Sequence, residues 1–358
     1  MMQRAAEGAT KPTVSTPTLS LVTGGGGFLG RAIVEQLLAR GHRVRSLARS
    51  DYPELKAMGV ETVRGDIRDA TVVSDACRGC DIVFHVAAKS GIWGSYNEYY
   101  EPNVRGTENV LAACKTHGVP RLVYTSSPSV VFDGRGMEGV DESVPYPRRY
   151  VSTYSATKAV AERAVLAANG PRLRTVALRP HLIWGPGDNH LIPRFVAQGR
   201  AGKLRRLGDG KNLIDTTYID NAADAHLLAA DALQTNPRVA GRAFFLSQGE
   251  PIPVWDVING FLAAAGVPPV TRSLPRIVGW TAGATLEAIH KLFRLQGEPR
   301  MTRFVASVLY TSHWFDISAA RRELGYEPTV STDEGLRRLE TWFRKESERS
   351  TAFTNARS

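Results

Sequence analysis

The chain has 358 residues, a formal net charge of +10 and a hydrophobic fraction of 43%. That length suits one large α/β domain with a smaller appended lobe, and the hydrophobic fraction is ordinary for a globular protein. The basic residues are scattered singly, without long cationic runs or interleaved aromatic side chains, so we do not expect a nucleic-acid-binding protein. A basic surface also suits ligands that carry phosphates or carboxylates.

From residue 18 onward, short β-branched runs alternate with helical patterns. TLSLVTG is typical of a buried strand, and LGRAIVEQLLARG is typical of an amphipathic helix that ends at Gly41. Further strands are predicted at HRVRSLA, VETVRGD, DIVFHVAA, RLVYTSS and RTVALRP, with helices such as TENVLAACKTHG and TKAVAERAVLAANG between them. This alternation predicts an α/β fold, a Rossmann-type doubly wound parallel sheet.

After about Pro186, connections rich in Pro and Gly increase and helical patterns dominate, which predicts a smaller, mostly helical C-terminal substrate lobe. The expected division is a disordered leader, a dinucleotide-binding Rossmann domain, a mainly substrate-binding lobe with segments that return to the Rossmann sheet, and a flexible tail. These cover residues 1–17, 18–186, 187–348 and 349–358.

No targeting or metal-binding signal stands out. The first 17 residues lack the apolar run of a signal peptide, and the longest uncharged stretch of the 276–295 region is too short to span a bilayer. We therefore expect a cytoplasmic protein without a transmembrane segment. Cys77 and Cys80 form a CxxC pair, but no second pair completes a zinc site, so no metal is expected.

A glycine-rich turn, VTGGGGFLG, follows the first strand and opens the first helix. Gly24 suits the tight turn, Gly27 lets a pyrophosphate approach the backbone, and Gly30 permits close packing of helix on strand. The helix then begins at Phe28 and Leu29, where free N–H groups and the positive end of the helix dipole favour phosphates. The turn predicts a dinucleotide site.

The end of the second strand distinguishes NAD from NADP. An acidic residue there would accept hydrogen bonds from the ribose 2′-OH. Here the strand ends at Ala48 and is followed by Arg49 and Ser50, while Asp51 comes too late. A cation and a hydroxyl favour a 2′-phosphate, so NADP(H) is the expected cofactor.

Two Tyr–Lys pairs share one spacing. Tyr52 and Lys56 lie near the expected adenosine end, with Pro53 between them. Tyr154 and Lys158 lie on a long alanine-rich helix downstream of YTSS, and at i and i+4 they project from one face. They are the expected catalytic pair.

The chemistry gives each of these side chains a role. A phenol with a pKa near 10 needs help to exchange protons at neutral pH, and an adjacent ammonium would lower that pKa. A hydroxyl from YTSSPS can hold the substrate oxygen, and either Ser126 or Ser127 would serve.

Seven motifs in order carry a resemblance that extends from about residue 18 to residue 345: TGGGGFLG, GDIRD, FHVAA, NVRGTENVL, YTSSPSVV, YSATK and LRPHLIWGPGD. The chain resembles the extended short-chain dehydrogenase/reductases, most of all their 3β-hydroxysteroid dehydrogenase branch. Within that branch, AAKSGIWGSY and DTTYIDNAADAH are similar to the bacterial 2-alkyl-3-oxoalkanoate reductases of long-chain olefin biosynthesis.

The resemblance implies a role for each matching position. Ser127 would orient the carbonyl, Tyr154 would donate the proton and Lys158 would support it electrostatically. The remaining positions would border the cofactor: Asp66 and Ile67 at the adenine, Ala87 and Asn103 along its path, and Pro180 and Ile183 at the carboxamide. His85, His181 and His190 match no metal-ligand spacing, so structural roles are expected for them.

The expected reaction is NADPH-dependent reduction of a long-chain 2-alkyl-3-oxo acid, and a hydrophobic acyl compound is the expected substrate. The alternatives are a 3β-hydroxysteroid or sterol-4-carboxylate dehydrogenase, a sugar-nucleotide epimerase, and a dinucleotide sensor without turnover. The resemblance also implies a homodimer formed through the NVRGTENVL and YSATK helices, and an assembly with other olefin-biosynthesis enzymes.

One apolar stripe stays open to several interpretations. Between Arg276 and Leu295, large and small apolar residues recur at helical spacing: Val278, Ala282, Leu286, Ile289 and Phe293. The stripe packs on the core, or it lines an acyl tunnel opposite Trp93, or it rests on a lipid or partner surface.

Overall fold

A computed structural model describes residues 18–91, 93–295 and 297–355, without the side chains of residues 350–355. The strands of this part of the chain are β1 (Leu19–Thr23), β2 (Arg43–Ala48), β3 (Glu61–Arg64), β4 (Ile82–His85), β5 (Arg121–Thr125), β6 (Met137–Val140), β7 (Arg174–Pro180), β8 (Ile183–Trp184), β9 (Arg206–Leu207), β10 (Leu213–Ile214), β11 (Thr217–Tyr218), β12 (Arg242–Leu246), β13 (Ile252–Pro253), β14 (Ser273–Leu274) and β15 (His313–Phe315).

The α-helices of the same part are α1 (Phe28–Ala39), α2 (Pro53–Ala57), α3 (Ala70–Cys77), α4 (Tyr96–Tyr100), α5 (Gly106–His117), α6 (Thr153–Ala167), α7 (Leu191–Arg200), α8 (Ile219–Thr235), α9 (Val254–Ala264), α10 (Arg276–Leu292), α11 (Arg303–Tyr310), α12 (Ser318–Leu324) and α13 (Thr332–Asn355). A π-helical turn, Glu101–Arg105, joins α4 to α5, and a 3₁₀ turn, Pro128–Val131, follows β5.

The main sheet has seven strands in the order β12-β7-β5-β4-β1-β2-β3, and every neighbouring pair is parallel. The prediction of a doubly wound parallel sheet is confirmed. Because helices cover both faces, all five residues of β1 are buried, as a continuous apolar run predicts. The strand order reverses between β1 and β4, and ligands of such sheets bind in the crevice at this point, beyond the carboxyl ends of the strands.

The chain after Pro186 contributes to two regions. Outside the main sheet, this part of the chain forms helices α7, α9, α10 and α11 and three strands of a small four-stranded sheet, β13-β10-β15-β6, whose fourth strand β6 comes from the first half of the chain. By contrast, α8 packs against α1 and β12 pairs with β7, so both belong to the main sheet and its helical cover. The structure therefore places two later segments back in the Rossmann unit.

The two ends of the chain differ in what the structure adds to the prediction. The leader predicted at residues 1–17 lies outside the described residues. Of the flexible tail predicted at residues 349–358, the part as far as Asn355 is helical, because α13 continues to that residue. The motif TDEGLRRLETWFRKE begins this helix, and the following segment, SERSTAFTN, contains no Pro or Gly to end it.

Candidate active site

The glycine-rich turn lies at the carboxyl end of β1 and leads directly into α1. Gly24 has a φ of +73°, a left-handed conformation that glycine adopts without strain. A Cβ atom on Gly30 would lie 2.1 Å from the carbonyl oxygen of Gly24, so only glycine fits there. Among the described residues, no side chain caps α1 and no acid occupies its first turn. Its free N–H groups therefore suit the pyrophosphate of a dinucleotide.

A cavity of about 1150 Å³ starts at this turn and continues across the carboxyl ends of the strands to α6 and α11. All but one of the residues proposed from the sequence line it: Gly24, Gly27, Phe28, Leu29, Gly30, Arg49, Ser50, Asp66, Ile67, Ala87, Ser127, Tyr154, Lys158, Pro180 and Ile183. Residues far apart in sequence thus meet in one space large enough for a dinucleotide and a second ligand.

Asn103 is the exception, because it lies behind the cavity wall. Its side-chain oxygen accepts a hydrogen bond from the Lys89 backbone N–H at 2.7 Å, and its amide group donates to Thr157 Oγ1 at 3.1 Å. Asn103 is also fully buried. Asn103 therefore positions the loop at Lys89 through hydrogen bonds to its backbone. The sequence had instead predicted a place for Asn103 along the cofactor path.

At the expected adenosine end of the cavity, the charges are mostly positive. Arg49 and Ser50 are exposed at the edge of the cavity, just after β2. Asp51 does not line the cavity, and its carboxylate pairs with Lys56 Nζ at 2.9 Å. Asp66 forms an ion pair with Arg68 at 2.8 Å, and hydrogen bonds from Arg68 hold the pKa of Asp66 below its usual value.

The proposed catalytic side chains meet near the middle of the cavity. Ser152 Oγ accepts a hydrogen bond from the Ser155 N–H at 3.1 Å and so caps the start of α6, which places Tyr154 in its first turn. Ser127, just after β5, lies close enough to Tyr154 for its hydroxyl to lower the pKa of the phenol. The hydroxyl of Ser126 is buried without a hydrogen-bond partner among the described residues. Of the two serines that the chemistry left open, Ser127 is thus the one that contacts Tyr154.

Burial determines the protonation state of Tyr154. It raises the pKa of the phenol to about 12, and the hydroxyl of Ser127 only partly opposes this effect. The expectation that the neighbouring ammonium would bring this pKa down is wrong for this structure, since burial is the larger effect. At neutral pH the phenol therefore keeps its proton and can donate it.

Lys158 lies below Tyr154 on the same helix, and its side chain is only 2% exposed. Its ammonium group donates a hydrogen bond to the Thr125 carbonyl oxygen at 2.5 Å and lies 4.1 Å from the centre of the Tyr124 ring. Burial lowers the pKa of Lys158 to about 7, although the Glu162 carboxylate raises it. A proton can therefore leave or enter this amine near neutral pH.

The other Tyr–Lys pair has a different environment. Tyr52 precedes α2, and its ring packs over Gly26, where an added Cβ would lie 2.1 Å from a ring carbon. Lys56 turns away to Asp51. Tyr52 therefore belongs to the cavity wall near the glycine-rich turn, whereas Lys56 does not line the cavity.

Part of the cavity is lined by apolar side chains that the sequence did not single out, next to the rings of His181 and His313. Phe132 and Phe304 meet edge to face with ring centres 6.2 Å apart, and Val308 and Phe315 complete this wall. Phe304 and Val308 are four residues apart on α11, a spacing that marks one helix face. The periodicity of the sequence could have identified this face of α11, but not its contact with Phe132.

The three histidines differ in their surroundings. The ring nitrogens of His85 bond to Thr23 Oγ1 at 2.8 Å and Thr107 Oγ1 at 2.9 Å, which is a structural role. His181 lines the cavity, with one ring nitrogen bonded to the Asp215 carbonyl oxygen, and burial lowers its pKa to about 3. His190 is exposed at the cavity edge. In the described residues, no group of three or more His, Cys, Asp or Glu could hold a metal ion.

This fold and site define a nicotinamide-dinucleotide oxidoreductase of the short-chain dehydrogenase/reductase type. The model of the 3-beta hydroxysteroid dehydrogenase/isomerase family matches residues 21–276, and the chain belongs to that family. Enzymes of this class transfer a hydride to or from a bound nicotinamide.

Three known proteins illustrate the similarity. The chain is 52% identical to 2-alkyl-3-oxoalkanoate reductase of Stenotrophomonas maltophilia over 89% of this chain and 97% of that protein. It is 34% identical to the human decarboxylating sterol-4-alpha-carboxylate 3-dehydrogenase over 90% of this chain and 87% of that protein. Thermus thermophilus UDP-glucose 4-epimerase, solved with NAD, aligns with a TM-score of 0.70 and 27% identity over 91% of this chain and 99% of that one.

Proposed function

We propose that this chain reduces a long-chain 2-alkyl-3-oxoalkanoic acid to the 2-alkyl-3-hydroxyalkanoic acid with NADPH, as a step of olefin hydrocarbon biosynthesis. The observation that carries the proposal is the apolar wall of Phe132, Phe304, Val308 and Phe315 in the same cavity as the proposed proton donor. A wall of this kind favours an alkyl chain, because each methylene removed from water contributes about 0.8 kcal/mol. The 52% identity to a reductase of this name supports the same substrate class.

The proposed roles of the side chains follow from their contacts. Ser127 donates its hydroxyl proton to the substrate carbonyl oxygen, because its own Oγ already accepts from the Ser129 N–H at 3.2 Å. Tyr154 then gives its proton to that oxygen as the hydride reaches the carbonyl carbon. The ammonium of Lys158 stabilises the phenolate that remains until a proton from solvent replaces the lost one.

The proposed preference for NADPH rests on Arg49 and Ser50. Both side chains lie at the edge of the adenosine end, and the nearest following carboxylate, Asp51, pairs with Lys56. A 2′-phosphate would find a guanidinium and a hydroxyl there and would meet no repulsion from an acid at the end of β2.

The apolar wall also argues against the sugar-nucleotide alternative. The substrate of an epimerase is a nucleoside diphosphate sugar, and its two phosphates would need cations. Lys89 lines the cavity, but its ammonium group pairs with the Glu98 carboxylate at 2.7 Å. A sterol would suit an apolar wall too, so the acyl and sterol substrates have to be distinguished by experiment.

We further propose a homodimer through α5 and α6, where Val160 is an exposed apolar residue, and an assembly with other olefin-biosynthesis enzymes.

The experiment is a chain-length series of 2-alkyl-3-oxo acids with NADPH. We expect kcat/KM to rise with alkyl length, by up to about 0.8 kcal/mol for each methylene that is fully buried. Phe304→Asp should flatten this rise and leave reduction of a short 3-oxo acid in place. Ile289→Asp on α10 is the matched control, because this residue lies outside the cavity lining. A flat series in the wild-type protein would contradict the long-chain substrate.

A further inference from the structure

Helix α10 packs against its neighbours through its smallest residues. A Cβ atom on Gly279 would lie 2.6 Å from Leu207 Cδ1, and one on Gly283 would lie 2.7 Å from the backbone of Thr302. One turn later, the Glu287 carboxylate accepts hydrogen bonds from the backbone and the guanidinium of Arg303, each at 2.8 Å. The inward face of α10 is thus made of two glycines and an ion pair.

This packing turns the large apolar side chains of α10 outward. Ile277 is 63% exposed, Leu292 77% and Phe293 66%. Eight of the eleven exposed large hydrophobic residues of the described chain lie between Leu274 and Leu295, so the exposed apolar surface is concentrated on α10 and the residues next to it. Such a concentration marks an interaction surface rather than the scattered apolar residues that any protein surface has.

None of the α10 residues lines the cavity, so the sequence-based alternative of an acyl tunnel along this helix is wrong. Packing of the whole stripe on the core is also wrong, because Val278, Ile289 and Phe293 are exposed. The remaining alternative is a lipid or partner surface.

The charge around the patch is positive. Residues 271–303 contain six basic and two acidic residues. Both acids are engaged in ion pairs, Glu287 with Arg303 and Glu298 with Arg194. A second copy of this chain would bring the same positive charge and would be repelled, whereas a negatively charged lipid surface would be attracted.

We propose that α10 docks on the surface of a bilayer that contains anionic lipids, with Ile277, Trp280, Leu292 and Phe293 in the interfacial layer. The arrangement fits a helix that lies in the plane of the membrane, with an apolar face and basic flanks. Among the helices of the described residues, none has the length and hydrophobicity needed to cross a bilayer. Docking therefore occurs without a span.

Ring contacts link the half-buried side of α10 to the proposed proton donor. The His290 ring of α10 lies edge to face with Trp93, with ring centres 5.9 Å apart. The Trp93 carbonyl oxygen accepts a hydrogen bond from the Tyr99 hydroxyl at 3.0 Å, and the Tyr99 ring packs on Tyr154 at 6.4 Å. The docking helix is thus three contacts away from the phenol of Tyr154.

Vesicle flotation tests the docking without any turnover. The full-length protein is mixed with vesicles of phosphatidylcholine alone, or of phosphatidylcholine with phosphatidylglycerol. We expect the protein to float with the anionic vesicles, and to do so less as salt is raised. Leu292→Asp should lower the partition coefficient about tenfold or more, since it places a charge in the interfacial layer. Val151→Asp is the matched control, because it changes the same charge at an exposed apolar residue outside α10.

Circular dichroism and size-exclusion chromatography of both variants accompany the flotation. Wild-type protein that floats with neither vesicle would overturn the proposal, and so would equal flotation of Leu292→Asp and wild type. A dimer that Leu292→Asp converts to monomers, without vesicle binding, would assign the face to a second copy instead. Because flotation needs no substrate, its outcome is independent of whether the 2-alkyl-3-oxo acid is reduced.

Discussion

Replacing Arg49 by alanine separates recognition of NADPH from recognition of NADH. Arg49 lies exposed at the adenosine end of the cavity and has no ion-pair partner among the described residues, so its guanidinium is available to a 2′-phosphate. NADH has a hydroxyl in that place. Loss of Arg49 should therefore weaken NADPH and have little effect on NADH.

The magnitude follows from the exposure of the side chain. A hydrogen bond to a charged group contributes about 1.5–3 kcal/mol, and an exposed pair lies at the lower end because water screens it. About 1.5 kcal/mol corresponds to roughly a tenfold loss. In steady-state assays with one fixed substrate, kcat/KM for NADPH should fall about tenfold, with a change of less than about twofold for NADH.

Arg64→Ala is the matched control for this variant. Arg64 is paired with Ala48 in the β2–β3 register and is exposed, but it does not line the cavity. The control removes the same charge from the end of the neighbouring strand, and we expect kcat/KM for NADPH and for NADH to change little. Equal losses of NADPH and NADH in Arg49→Ala, or an equal NADPH loss in Arg64→Ala, would refute a direct contact with the phosphate.

Three further predictions address the catalytic pair and the turn. Tyr154→Phe should reduce kcat by about 10²–10⁴-fold and leave cofactor affinity nearly unchanged, because it removes the proton that is transferred. Tyr52→Phe keeps its ring and should have almost no effect. Steady-state rates measure kcat, and stopped-flow fluorescence measures cofactor binding. As pH rises through about 7, Lys158 loses its proton, so kcat/KM for reduction should fall, and the residual activity of Lys158→Arg should lack this fall. Gly30→Ala should lower the free energy of unfolding by about 1–3 kcal/mol, because its Cβ would meet the Gly24 carbonyl. The Cβ of Gly27→Ala would lie 3.3 Å from the same oxygen, so this variant should lose less stability. Thermal unfolding compares the two. Active Tyr154→Phe, a pH-independent kcat/KM or equally stable glycine variants would contradict the respective prediction.

The parts of the fold that depend on local pattern could be predicted from the sequence. The apolar runs at β1, β4 and β5 predicted these strands, because both faces of a parallel sheet are buried. The glycine spacing predicted the turn, since a positive φ at Gly24 and the absence of a Cβ at Gly30 are local requirements.

The parts of the site that depend on distant contacts could not be predicted in the same way. The carbonyl that holds Lys158 belongs to Thr125, and a backbone oxygen carries no residue-type signal. The pKa of Tyr154 depends on how deeply the fold buries the phenol, which the Tyr–Lys spacing does not contain. The apolar stripe of α10 had the period of a buried helix, but Gly279 and Gly283 formed the contact and turned the larger residues outward.

The most direct test of the proposed function compares three substrates in one assay. NADPH consumption is followed by absorbance with a long-chain 2-alkyl-3-oxo acid, a 3-oxosteroid or a UDP-sugar, each with wild-type protein and with Tyr154→Phe as the blank. We expect rapid consumption with the 2-alkyl-3-oxo acid, with kcat/KM at least about tenfold above that of the steroid, a difference of about 1.4 kcal/mol. A higher kcat/KM with the steroid or the UDP-sugar, or consumption that Tyr154→Phe does not abolish, would contradict the proposed function.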